Sequence, residues 1–164
     1  MSFSSFTKNF FTLKSLGKMG IIYMGASTFT RHIGEIIICR GDSMEPTISS
    51  GDVVWAERIS INLNNLKVND IVALIAPTDS RILLCKRITH KEYEKVSNGY
   101  LMKNDIVPKG GYFVQGDNRK FSCDSRHFGP VPEGLIEVRL CLRIWPLNKF
   151  GWLSNHWFWE KNNI

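Results

Sequence analysis

Leu135-Ile136-Glu137-Val138-Arg139-Leu140-Cys141-Leu142-Arg143-Ile144-Trp145 alternates apolar and charged side chains along most of its length. In an extended chain successive side chains point to opposite sides, so Val138, Leu140, Leu142 and Ile144 share one face while Glu137, Arg139 and Arg143 take the other. The pattern predicts a half-buried strand. Outward from it, Ile36-Ile37-Ile38, Val53-Val54-Trp55, Ile71-Val72-Ala73-Leu74-Ile75 and Tyr112-Phe113-Val114 are short apolar runs rich in β-branched and aromatic residues, the composition of strands. Ser50-Gly51-Asp52 and Lys109-Gly110-Gly111 supply turns, and Pro130 and Pro132 keep the approach to the last strand extended. With no internal repeat and no low-complexity block, these runs predict a small, mainly antiparallel β barrel or coiled sheet.

The 164 residues have room for one core, and a 43% hydrophobic content is ordinary for a globular domain. The formal charge of +6 does not point to nucleic acid: the basic residues are scattered and no zinc-finger, RNA-recognition or helix-turn-helix signature is present. Cys39, Cys85, Cys123 and Cys141 lie far apart with no Cys-x-x-Cys pair, which argues against a zinc site and against a disulfide framework and leaves a single pair open; each reads as a small packed residue. No P-loop, dinucleotide fingerprint or metal-binding helix occurs, so no cofactor and no metal is implied. Before Glu35 the chain carries Lys8, Lys14, Lys18 and Arg31 and no acid, a composition that suits a mitochondrial import segment. The uncharged run Met19 to Thr30 is shorter than the roughly 20 residues needed to cross a bilayer, so a membrane anchor and a helix lying on the membrane surface both remain open.

Chemistry concentrates in three runs. Ser43 lies in Gly41-Asp42-Ser43-Met44-Glu45-Pro46-Thr47, Lys86 in Leu84-Cys85-Lys86-Arg87-Ile88, and Ser122, Asp124 and Arg126 in the run Gly116 to Arg126. A serine hydroxyl is a poor nucleophile until a base takes its proton, and lysine serves as that base only where its surroundings keep it neutral. In the strand predicted from Arg81 to Ile88, period-two alternation puts Lys86 on one face with Ile82, Leu84 and Ile88, where lost solvation lowers its pKa. His32, His90, His127 and His156 sit in no recognisable nucleophile-partner motif, and Gly41-x-Ser43-x-Glu45 lacks the second glycine of a nucleophile elbow.

These three runs, in this order, resemble the type I signal peptidases, membrane proteases with a Ser-Lys dyad. The likeness runs from Ile33 to Leu153, and Arg143-Ile144-Trp145-Pro146-Leu147 with Phe150-Gly151-Trp152-Leu153 look like the mitochondrial inner-membrane branch. The resemblance implies Ser43 as nucleophile, Lys86 as base, Ser122 as the residue that orients the lysine, and Asp124 with Arg126 as a bracing pair. It places Cys39, Met44, Leu84 and Cys85 near the pocket for the residue before the cut. Bacterial members often carry a serine two residues before the nucleophile, where this chain has Gly41, so the backbone N–H of Ser43 becomes the main oxyanion donor. The stretch from Thr89 to Gly111 is too short for the large inserted β domain of many bacterial enzymes.

The organisation implied is a targeting or anchor helix over 1–32, a catalytic domain over 33–153 and an aromatic tail over 154–164. The activity implied is removal of hydrophobic sorting peptides from precursor proteins delivered to the intermembrane space. The enzyme would sit in the inner membrane with its catalytic domain facing that space, as a heterodimer with a second catalytic subunit. Two alternatives use the same fold or chemistry: a non-catalytic subunit, and a self-cleaving repressor, which would need a DNA-binding helix pair that the N-terminus lacks. Phe150, Trp152, Trp157, Phe158 and Trp159 suit a membrane interface, a subunit contact or a cover over the end of the sheet.

Overall fold

A computed structural model of the chain describes residues 15, 17–28, 32–96 and 106–153. The chain divides into two compact units, Met1–Ile33 and Gly34–Ile164. In the first, residues 17–28 are helical (α1) and Met19, Ile21, Ile22, Tyr23 and Met24 are all exposed. Among the described residues no helix is long and apolar enough to cross a membrane. The aromatic tail over 154–164, like Lys8, Lys14 and Arg31, lies outside the described residues.

The second unit is a sheet of eight strands: β1 (Gly34–Ile38), β2 (Val53–Glu57), β3 (Ile71–Ala76), β4 (Asp79–His90), β5 (Gly111–Gln115), β6 (Val131–Pro132), β7 (Ile136–Trp145) and β8 (Gly151–Trp152). Their order is β1-β2-β7-β3-β4-β5-β6, with β8 paired to β7. Every pairing is antiparallel. Of the two forms expected, the strand order is that of the open coiled sheet: β1 and β6 end the path and do not pair with each other among the described residues. The alternating stretch Leu135 to Trp145 forms β7, an interior strand of this order flanked by β2 and β3. Two four-residue helices, α2 (Ile59–Asn62) and α3 (Ser125–Phe128), lie in the connections.

Both faces of the middle strands are covered, which is why β3 reads as an unbroken apolar run rather than an alternating one. Ile71 and Ala73 belong to one core cluster with Val54, Ala56, Val138 and Leu140, closed over by Met44 and Ile48 from the segment after β1. Val72 and Leu74 belong to a second with Ile88, Val114 and Ile136, closed over by Leu66 and Val131.

This double coverage corrects the placement of Arg139. Alternation puts it on the polar face of a half-buried strand, yet it is only 1% exposed. It is accommodated because two other segments bring carboxylates to it: Glu57 Oε1 lies 2.6 Å from Arg139 Nε, and Asp70 Oδ1 lies 3.4 Å from Nη1. Arg143 pairs with Asp52 at 3.2 Å, and Glu137 with Arg58 at 3.0 Å. The charged face of β7 is therefore a series of ion pairs, buried at its centre.

Candidate active site

Ser43 lies in the segment that leaves β1 and turns back into β2. The hairpin is closed by Cys39 N donating to Asp52 O at 2.8 Å and Gly51 N donating to Cys39 O at 2.9 Å, with Gly51 at φ +94° where a side chain would be strained. Buried Met44 and Ile48 pin the segment into the core. Its polar groups are held from elsewhere in the chain. Asn118 N donates to Ser43 O at 3.0 Å and Arg143 Nη2 to Thr47 O at 2.7 Å. Thr47 Oγ1 donates to Asp117 Oδ2 at 2.5 Å, and Arg87 grips the same carboxylate with Nε at 2.8 Å and Nη2 at 2.7 Å.

Lys86 comes from β4, and its Nζ lies 2.8 Å from Ser43 Oγ, within hydrogen-bond reach. Lys86 is 2% exposed, and burial pulls its pKa below the ordinary 10.5 against the opposing pull of Cys85, Asp124 and Cys123. The apolar face expected around it is real but shorter than the alternation suggests: Ile88 is buried and Leu84 half-buried, whereas Ile82 is 48% exposed. Arg87, its neighbour, points to the opposite face of the strand and does not draw the lysine to the surface.

Behind the pair, Asp124 gathers the last of the three runs. Its Oδ1 accepts from Arg126 Nε at 2.8 Å; its Oδ2 accepts from Arg126 Nη2 at 2.9 Å, Ser122 Oγ at 2.7 Å and Gly116 N at 3.0 Å. Asp124 is fully buried and also caps α3 through the N–H of Arg126, in a capping box that His127 completes. Burial alone would raise its carboxyl pKa; the bonds from Arg126, Gly116 and Ser122 outweigh that and hold it at about 2. Gly116 is required by close approach, since a Cβ there would collide with Ser122 Oγ and the carbonyl oxygen of Ser43. Among the described residues Ser122 is hydrogen-bonded to Asp124 and Lys86 to Ser43, with no hydrogen bond between Ser122 and Lys86 themselves.

A cavity of about 70 Å³ opens beside the serine and is lined by Cys39, Arg40, Gly41, Ser43, Met44, Ile48, Leu83, Leu84, Cys85 and Lys86. It brings together all four residues expected near a pocket, and its size is that of a small side chain. The clamp of Arg87, Asp117 and Thr47 was not foreseen. Its one sequence signal is Arg87, a strand residue that must point away from the lysine beside it and needs a partner there.

The family model described as signal peptidase, peptidase S26, matches residues 13–97 and 89–145. A protein named mitochondrial inner membrane protease subunit 1, from Xenopus tropicalis, is 40% identical over 145 residues, covering 84% of this chain and 87% of that protein. One named mitochondrial inner membrane protease subunit 2, from Saccharomyces cerevisiae, is 29% identical over 133 residues, covering 76% of this chain and 75% of that protein. A solved signal peptidase I from Enterococcus faecalis V583 is 25% identical and covers 46% of this chain and 96% of its own, with a TM-score of 0.41. A serine and a buried lysine in contact on an antiparallel sheet thus stand on a chain whose sequence matches that family almost throughout, and the chain belongs to the signal peptidases of family S26, the serine peptidases.

Proposed function

We propose that this chain is the cutting subunit of a mitochondrial inner-membrane peptidase and removes hydrophobic sorting peptides from precursor proteins delivered to the intermembrane space. One observation carries the reading: the 2.8 Å contact between the buried amine of Lys86 and the hydroxyl of Ser43. The substrate enters as an extended strand beside the segments around Ile38 to Ser43 and Ile82 to Lys86, with a small side chain in the cavity at Cys39, Met44, Leu84 and Cys85. Exposed Ile36 and Ile38 on the terminal strand, and Leu83 across the cavity, give that strand an apolar bed.

Neutral Lys86 takes the proton of Ser43 as Oγ attacks the scissile carbonyl, and the backbone N–H of Ser43 faces the oxyanion. The ammonium then protonates the leaving amine, leaving the acyl group on Ser43. A water molecule, deprotonated by the same lysine, releases it. Ser122 and Arg126 hold Asp124 in place behind the pair, and the Asp124 charge acts on the lysine from there. The existence of relatives named both subunit 1 and subunit 2 favours work alongside a second subunit. In this reading that subunit is catalytic as well, and the domain after α1 faces the intermembrane space.

Ser43→Ala and Lys86→Met should each lower kcat by more than about 10³-fold while leaving the sheet folded, because nucleophile and base act as a unit. The check is turnover of a precursor with a sorting peptide by the purified protein. Near-native turnover by Ser43→Ala would overturn the reading.

A further inference from the structure

We propose that Cys39 and Cys85 are a paired dithiol that a hydroperoxide closes to a disulfide across the cavity beside Ser43, and that this closure reversibly stops peptide cleavage. The loss of cleavage rests on the function proposed above; the disulfide does not.

The two cysteines come from strands that do not pair with each other, Cys39 from one residue beyond β1 and Cys85 from inside β4. Yet both line the cavity of about 70 Å³ that Ser43 and Lys86 share. Cys85 packs against the core cluster that contains Cys39, so the two side chains meet the same cavity wall. Both are free. The other two cysteines are placed differently: Cys123 is exposed, and Cys141 is buried with its thiol held at about 12 by desolvation.

The pair is also chemically asymmetric. The interaction between the two thiols holds that of Cys39 below its ordinary range and, together with burial, pushes that of Cys85 well above. Cys39 is thus the readier thiolate and Cys85 the resolving partner. The Cys39 sulfur attacks one oxygen of hydrogen peroxide: an S–O bond forms, the O–O bond breaks and the leaving oxygen departs as water after taking a proton. Cys85 sulfur then attacks Cys39 sulfur, forming S–S and breaking S–O, and the hydroxide released takes the Cys85 proton. Two thiols lose two electrons and two protons, and one peroxide becomes two waters. A disulfide holds its sulfurs about 2.05 Å apart, closer than two free thiols can pack. Closure therefore draws the stem of the Ser43 segment toward β4, next to Lys86, and narrows a cavity that has room for only a small side chain.

The test uses the full chain, purified in its reduced state and titrated with hydrogen peroxide. Non-reducing digestion and mass spectrometry should yield one cross-linked pair of peptides carrying Cys39 and Cys85, about 2 Da lighter than the reduced pair. Cleavage by the same samples should fall by about tenfold or more and return on adding dithiothreitol. In Cys85→Ser, peroxide should leave a sulfenic acid on Cys39 that dimedone labels, with no cross-link. The proposal is overturned if peroxide that oxidises exposed Cys123 leaves Cys39 and Cys85 as free thiols, or if the cross-link forms and cleavage is unchanged. Cross-link and label are read by mass, so a reduced chain that cuts nothing would sink the peptidase reading and leave the dithiol standing.

Discussion

At the scale of single residues, burial of Lys86 sets activity against stability. The folded protein holds this amine at a lower pKa than the unfolded chain does, so the unfolded state binds more protons in the interval up to 10.5. At neutral pH the amine therefore opposes folding. Lys86→Met, which fills a similar volume without the charge, should raise Tm at pH 7 by a few degrees, at about 2–4 °C per kcal/mol for a chain of this size. Melts at pH 7 and pH 10 would show the gap shrinking as pH rises; a lower Tm for the methionine variant at pH 7 would contradict this. In the wild type the rising limb of kcat/KM should be centred below 10.5, and a limb at or above that value would show that Lys86 is not the working base. The buried position of Lys86 was legible because it depends only on alternation within its own strand. That of Arg139 was not: alternation reads polarity, and the carboxylates that let Arg139 be buried stand 82 and 69 residues away.

At the scale of elements, α3 is four residues long, too short to hold itself together, and depends on the cap at Asp124. The same carboxylate receives Ser122, Gly116 and Arg126, so the end of the helix and the support of the site are one structure. Asp124→Asn keeps a capping oxygen and removes the charge; it should cost about 2–4 kcal/mol at pH 7, measured by urea unfolding. A carboxyl held at about 2 in the fold and near 3.8 outside it contributes stability that is complete above pH 4 and is lost as pH falls toward 2. The wild type and Asp124→Asn should therefore converge across that window, and curves that stay parallel would remove the charge from the explanation. Ser122→Ala should cost only about 1 kcal/mol, since Asp124 keeps its other donors, and should slow turnover more than it destabilises. The long strands were legible, each from its own apolar run. The two-residue strands β6 and β8 and the helices α2 and α3 were not, because elements so short are defined by what they pair with or by a cap.

At the scale of the whole molecule, Arg139 joins β7 to Glu57 at the end of β2 and to Asp70 just before β3. Arg139→Met should cost about 3–5 kcal/mol, because it removes the shared cation from two buried carboxylates. Adding Glu57→Gln and Asp70→Asn, which keep the acceptors for Ser60 N and Lys67 N, should recover at least half of that in urea melts. A loss below about 1 kcal/mol for Arg139→Met alone would mean the network is marginal. The ties on the Ser43 segment are long as well: Lys86 is 43 residues further on, Asp117 is 70 residues from Thr47 and Arg143 is 96. Contacts of such separation close late in folding, after the intervening chain has been ordered. Ser43 is therefore made early and armed late. Until β4 brings Lys86 to it, its hydroxyl is no more reactive than any other in the chain, and a copy made only that far has nothing with which to cut its neighbours.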